Sequence, residues 1–260
     1  MRAMNLGRRV FVSPLLAVAA VLLLPSAAAA LDTPTVRVTR PAAGRIVLDV
    51  ADASVSVRKE VSADRSVVTL TTPKDRLSIT VRRGLVTISS PHGALTMDAG
   101  LGTGVDADRL LMVLHRSDAA TRARALLARV SDGPNTFAGQ SLLLTRAILE
   151  LGSGSLDAFN QHQRWVAQRA VEMARPSQHQ PGPRVIRAAY LEAAQQGPGD
   201  CWDMYAKEAI EIAEDFAECT EDLAWYEAHK WAGCSLIYAV RAEGAMAWFI
   251  SCNGGVPFNG

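Results

Sequence analysis

Four cysteines, Cys201, Cys219, Cys234 and Cys252, are the residues of this chain whose type and spacing together specify a covalent chemistry. Their separations are 18, 15 and 18 residues. With about 3.6 residues per helical turn, a separation of 18 is about five turns, so each outer pair lies on one helix face with its members about 27 Å apart. A disulfide needs Cα atoms within roughly 7 Å, which excludes a bond within either pair. Two helices folded back on a short turn bring Cys219 to Cys234 near the turn and Cys201 to Cys252 at the open end. The crossed alternative needs parallel helices, and the 14 residues between Cys219 and Cys234 cannot carry the chain back that far. The spacing therefore predicts a stapled, antiparallel helical hairpin with nested bridges. An even cysteine count with no C-x-x-C pair and no paired histidines fits disulfides in an oxidising compartment, not zinc.

Other chemistry was sought and no motif carries it. The five histidines, His92, His115, His162, His179 and His229, fall in five separate segments without a second histidine or acid at a recurring ligand spacing, and read as surface or capping residues. The loop 98–108, DAGLGTGVDAD, misses the dinucleotide fingerprint because Val105 stands where the third glycine belongs, and it lacks the terminal glutamate of a calcium loop. It reads as a linker ending in Asp106 as a helix N-cap. Around Ser141 the sequence GQSLL lacks the second glycine of a nucleophile elbow and no strand precedes it. No catalytic residue, metal site or cofactor is expected, and the chain reads as a non-enzyme.

The elements around the hairpin follow from periodicity. Residues 1–30 read as an export signal: Arg2, Arg8 and Arg9, an apolar run over 10–24, and an A-x-A site at 28–30. From 35 to 97, apolar residues alternate with polar ones in seven short runs, marked by Val36, Ile46, Val55, Val68, Leu77, Val86 and Leu95. Arg37, Arg58, Arg65, Arg76 and Arg82 take the polar face without aromatic neighbours, which argues against a nucleic-acid platform. Residues 106–175 change to the helical period and suit three to four helices, with Ser117, Asp132 and Ser155 at caps or turns. The proline-rich stretch 176–200 has linker composition. The expected fold is α+β: an N-terminal antiparallel β meander or sandwich-like module, then a helical module, then the hairpin. The expected divisions are 1–30 signal, 31–105 β-rich module, 106–175 helical module, 176–200 linker and 201–260 hairpin.

Within the hairpin, the first helix sets Tyr205, Ile212 and Phe216 beside the cysteine stripe and Glu211, Glu214, Asp215, Glu218, Glu221 and Asp222 on the other side. The second helix is apolar all round, and such a helix is buried or bound to something. Trp231, Ile237, Tyr238, Trp248 and Phe249 are its candidate interaction residues, for a protein partner or a membrane surface. Arg241 and Glu243 argue against a membrane span. Residues 31–200 carry a net charge of +5 and residues 201–260 a net −7, so the halves attract each other or each has a solvated charged face. The expected function is that of an exported binding or interaction protein presenting the hairpin. The alternative is a precursor releasing 201–260 as a membrane-active or toxin-like peptide, against which its acidity speaks.

Overall fold

The computed structural model describes residues 34–42, 44–82, 85–91, 93–98, 105–130, 135–173, 201–224 and 227–252, with the side chains of 105–107, 202, 228–229 and 250–252 outside the description. The expected export signal, the stretch 176–200, Asp132, His92, His179 and the His229 side chain lie outside the described residues.

The seven alternating runs form seven strands: β1 (Thr35–Ala42), β2 (Arg45–Ala51), β3 (Ser56–Ser62), β4 (Arg65–Thr71), β5 (Arg76–Arg82), β6 (Leu85–Ser90) and β7 (Gly93–Asp98). They make one antiparallel meander in sequence order. It is not a sandwich, because helices and not a second sheet cover its apolar face. That face carries Ile46, Leu48, Val57, Leu70, Ile79, Val86 and Ile88, all buried. Arg37, Arg58, Arg65, Arg76 and Arg82 point to the other, exposed face. Short turns set the register. Gly44 takes φ 68°, a left-handed conformation open to glycine, between β1 and β2. Between β2 and β3, the Asp52 carboxylate accepts hydrogen bonds from the backbone of Ser54 (2.8 Å) and Val55 (3.0 Å).

Among the described residues six helices follow: α1 (Val105–Arg116), α2 (Asp118–Leu127), α3 (Phe137–Leu151), α4 (Asp157–Met173), α5 (Cys201–Thr220) and α6 (Ala228–Cys252). α1 starts at Val105, one residue before the expected cap Asp106, whose side chain lies outside the described residues. Ser117 does cap α2, its hydroxyl accepting from Ala120 N (3.1 Å). The same hydroxyl donates to Asp75 of the β4–β5 turn (2.7 Å), which also accepts from Ala119 N (3.2 Å) and so fastens the helix start to the sheet. Thr136 caps α3. Glu150 of α3 accepts from Ala158 N at the start of α4 (2.7 Å), tying the two helices together.

α1 packs on β7, α2 on β4 and β5, and α6 on β3, β4 and β5. α3 lies against α2, α4 and α6, and α5 is held between α4 and α6. One apolar core runs from Ile46 in the sheet to Phe249 in the hairpin. α5 and α6 are joined by the expected bridge between Cys219 and Cys234, with Cα atoms 6.1 Å apart. Cys201 is also disulfide-bonded. Its expected partner is Cys252, whose side chain lies outside the described residues. The reversal between α5 and α6 has a device that sequence reading missed: Glu227 accepts from Ala224 N through its carboxylate and donates its own N–H to Ala224 O, each at 2.9 Å.

Candidate functional site

Ionisable groups with displaced titration lie both at the surface, at Asp52, Arg58, Glu60 and Asp64, and in the core, where two buried sets stand out. Along β3, Val57 and Val61 alternate with Lys59 on the inward face, so the lysine enters the core by strand period alone. It is fully buried. Its ammonium donates to Glu243 Oε1 of α6 (2.5 Å), to Ser141 O (2.6 Å) and to Thr145 Oγ1 of α3 (3.0 Å). Three donors meet three acceptors, and the opposite charge that Lys59 meets among the described residues is a carboxylate 1% exposed. Burial pulls Lys59 below the usual lysine value, and the charge and hydrogen bond of Glu243 pull it back.

A second polar group crosses the same core. His162 of α4 bonds through Nδ1 to the Tyr238 hydroxyl (2.7 Å) and through Nε2 to that of Tyr205 (3.2 Å). Burial pushes this imidazole down to about 3, so it is neutral at physiological pH: one ring nitrogen donates and the other accepts. Burial raises Tyr205 well above the tyrosine range, with the nearby charges of Tyr238 and Glu243 adding to it, and burial likewise raises Tyr238. Both phenols stay protonated. The expectation of surface or capping histidines fails at His162, because α4 presents that position to α5 and α6. His115 fits it, bonding through Nδ1 to Gly152 O at the end of α3 (3.0 Å). Lys59 and the His162 group were both missed. The readable signal for the first was a lysine at an inward strand position; nothing local announced the second.

These groups are shut inside, so a substrate has no path to them, although Glu243 Oε2 is buried without a hydrogen-bond partner among the described residues. The surface offers a different feature. Between α1 and the β6–β7 hairpin lies an open groove of about 370 Å³, lined by Ile88, Leu95, Met112, Val113, Arg109 and Arg116, with Ser90, Gly93 and Ala94 at its hairpin end. Its helical wall is the stripe 109, 112, 113 and 116, one face of α1 by the i, i+3, i+4, i+7 rule. Met112 is 49% exposed. Arg116 makes no ion pair among the described residues. Among the described residues the groove holds no acid–base pair and no nucleophile beside a base; they offer apolar contact with a cationic edge.

The hairpin residues singled out from sequence do not share one exposed face. Tyr238 and Phe249 are buried in the protein's own core, Phe249 stacked on Phe137 with ring centroids 6.1 Å apart. Trp231 and Ile237 are half-buried, Trp231 edge-on to Phe216. Trp248 is 42% exposed. α6 is apolar all round because sheet, α3 and α5 surround it. The acidic positions of α5 and of the turn that follows it, from Glu211 to Asp222, do face solvent. Among the described residues no group of three His, Cys, Asp or Glu side chains could hold a metal ion, and no helix is long and apolar enough to cross a membrane. Comparison with protein-family models, with curated proteins and with solved structures returns no match.

Proposed function

We propose that this chain is an exported, non-enzymatic binding protein that takes its partner in the groove between α1 and the β6–β7 hairpin. The groove carries the reading: it is the surface feature that combines concavity, apolar lining and an unpaired charge, the composition of a binding site. The shifted groups of the core support the non-enzymatic part, since they are buried beside their own partners, and no shifted group lines the groove. Export rests on the basic start, apolar run and A-x-A site of residues 1–30, and the disulfide of the hairpin fits an oxidising compartment. The hairpin is a structural part of this binding protein. Its release as a peptide would uncover Tyr205, Ile212, Tyr238 and Phe249 and strand Lys59 without its counter-charge, which speaks for retention.

The test places a photo-cross-linking residue at position 112, in the groove, or at position 171, where Val171 is 54% exposed on α4, in the protein exported by its own cells. Adducts from 112 and none from 171 are expected, on protein whose N-terminus is Leu31. No adduct from 112, or Met1 intact on protein retained in the cytoplasm, would refute the reading.

A further inference from the structure

The sheet is open, so it has two edges, and they are built differently. β1 is a guarded edge. Its register is irregular between Thr39 and Ala42, Pro41 removes a donor within it, and Arg37 and Arg40 line it. Breaks in pairing, proline and positive charge are the means by which proteins keep other strands from adding to a sheet. β7, at the other end, has none of them. It pairs with β6 without interruption from Gly93 opposite Ser90 to Asp98 opposite Leu85, and it contains no proline, lysine or arginine. Among the described residues no strand pairs with its outer side. Gly93, Ala94, Thr96 and Asp98 are exposed.

This unguarded edge runs beside the groove. A strand added to β7 would extend the sheet, and every second side chain would fall on the face that carries Leu95 and Met97, the face over which α1 lies. Those side chains would stand beside Leu95 at the groove's floor and face the wall of Met112 and Val113. Arg116, without an ion pair among the described residues, closes the α1 wall with a guanidinium. Backbone ladder, alternate apolar pockets and a fixed charge are the three components of peptide recognition by strand addition. β7 is 6 residues long, so it matches about five or six residues of an added strand.

We infer that the β7–α1 groove binds an extended peptide segment of a partner protein, alternately apolar and carrying acidic residues, by adding it to the outer edge of β7. The inference rests on the binding reading above and names the partner's chemistry. A basic segment would be repelled by the arginines, and a helix could not use the ladder.

The experiment presents the mature chain to an array of eight-residue peptides with Val, Ile, Leu or Phe at alternate positions and Asp or Glu between them. The best binder is then measured by fluorescence anisotropy beside two relatives: one with alternate backbone amides N-methylated, one with lysine for each acid. Strand addition predicts that N-methylation lowers affinity about tenfold or more, because the side chains remain while the ladder donors are lost. Arg116→Glu should weaken the acidic peptide by about tenfold and admit the lysine peptide. Met112→Lys, at a half-exposed position, is the second variant and should also weaken the acidic peptide, with thermal unfolding showing that both variants fold. Equal binding of the N-methylated peptide, indifference to Arg116→Glu, or an array with no binder would overturn the inference. If position 112 still yields adducts in the cell while the array is silent, the strand-addition inference fails and the binding reading stands.

Discussion

Replacing Glu243 by Gln keeps the size of the side chain and a hydrogen-bond acceptor for Lys59 but removes the one negative charge that bonds to it. Lys59 and Glu243 are 0% and 1% exposed, so no solvent screens the loss. Removing one member of such a pair costs about 3–5 kcal/mol, because the other is left charged and uncompensated. Lys59→Met should cost a similar amount from the opposite side. The double variant Lys59→Met with Glu243→Leu fills the site with apolar groups and should return to near the parent or exceed it by about 1–4 kcal/mol. The site permits this, because Thr145 Oγ1 already donates to Ser141 O (3.1 Å) and neither is orphaned when the ammonium goes. Urea unfolding of the disulfide-intact chain at pH 7 measures the cycle. In a chain of this size each kcal/mol moves the melting temperature by about 2–4 °C, so the single variants should melt roughly 10–15 °C lower. The pH response adds a second reading. Burial depresses Lys59 in the folded state, and without Glu243 the depression deepens. Between the folded value and the unfolded value near 10.5 the unfolded chain binds the extra proton, so stability of Glu243→Gln must rise with pH across that window, by at most about 1.4 kcal/mol per unit. The gain ends near pH 10, where the buried tyrosines begin to favour the unfolded, ionisable form. A single-variant cost under about 1 kcal/mol, with the double equal to the sum of the singles, would refute a buried ion pair.

His162 titrates at about 3 folded against 6.5 when free, so its contribution is present above pH 6.5 and is lost as pH falls toward 3, by up to about 1.4 kcal/mol per unit; His162→Gln should flatten that slope in acid unfolding, and an unchanged slope would place the proton elsewhere. Non-reducing digestion should release Cys219 joined to Cys234 and Cys201 joined to Cys252, and reduction should cost about 3 kcal/mol or more while loosening the hairpin first; a peptide joining Cys201 to Cys234 would break the nested scheme. At Gly152 an added Cβ would stand 2.6 Å from Leu114 Cβ and 3.1 Å from His115 N, so Gly152→Ala should destabilise by about 1–3 kcal/mol, whereas a neutral result would mean that α1 and α3 are not this close in solution.

The sheet was legible because its period is short and its faces differ. Alternation placed Ile46, Leu70 and Ile79 inward and Arg58, Arg65 and Arg76 outward, and all six lie so. The hairpin was legible because helical spacing leaves one antiparallel solution for its cysteines, and the bond between Cys219 and Cys234 agrees with it. What burial did with the second helix was not legible. An apolar helix looks the same whether its neighbours come from the same chain or from another, and here β3, β4, β5, α3 and α5 supply them. The His162 group escaped for a related reason: its members come from α4, α5 and α6, 43 and 76 residues apart, where no period connects them. The groove was half legible. Arg109, Met112, Val113 and Arg116 form a stripe that any helical wheel displays, but its opposing wall is a hairpin, and pairing of helix with sheet edge is a property of topology.

The charge asymmetry between the halves takes on a definite meaning in this arrangement. Among the described residues two ion pairs join the acidic 201–260 segment to the rest: Lys59–Glu243, and Arg169–Asp203 at 3.1 Å. The first contributes specificity more than net stability, since a well-packed apolar pair could replace it. The second is part-exposed and contributes little. Attachment of the hairpin therefore comes from apolar burial, and most of the acid excess is left solvated on α5 and the turn after it, at Glu208, Glu211, Glu214, Glu218, Glu221 and Asp222. Those carboxylates repel an acidic segment, while the arginines of the sheet face and of α1 attract it. Over a Debye length of about 8 Å such fields act on approach more than on the bound state. An acidic partner would thus be turned from the hairpin toward the guanidinium-bearing elements, and its association rate, rather than its dissociation rate, should fall as salt is raised.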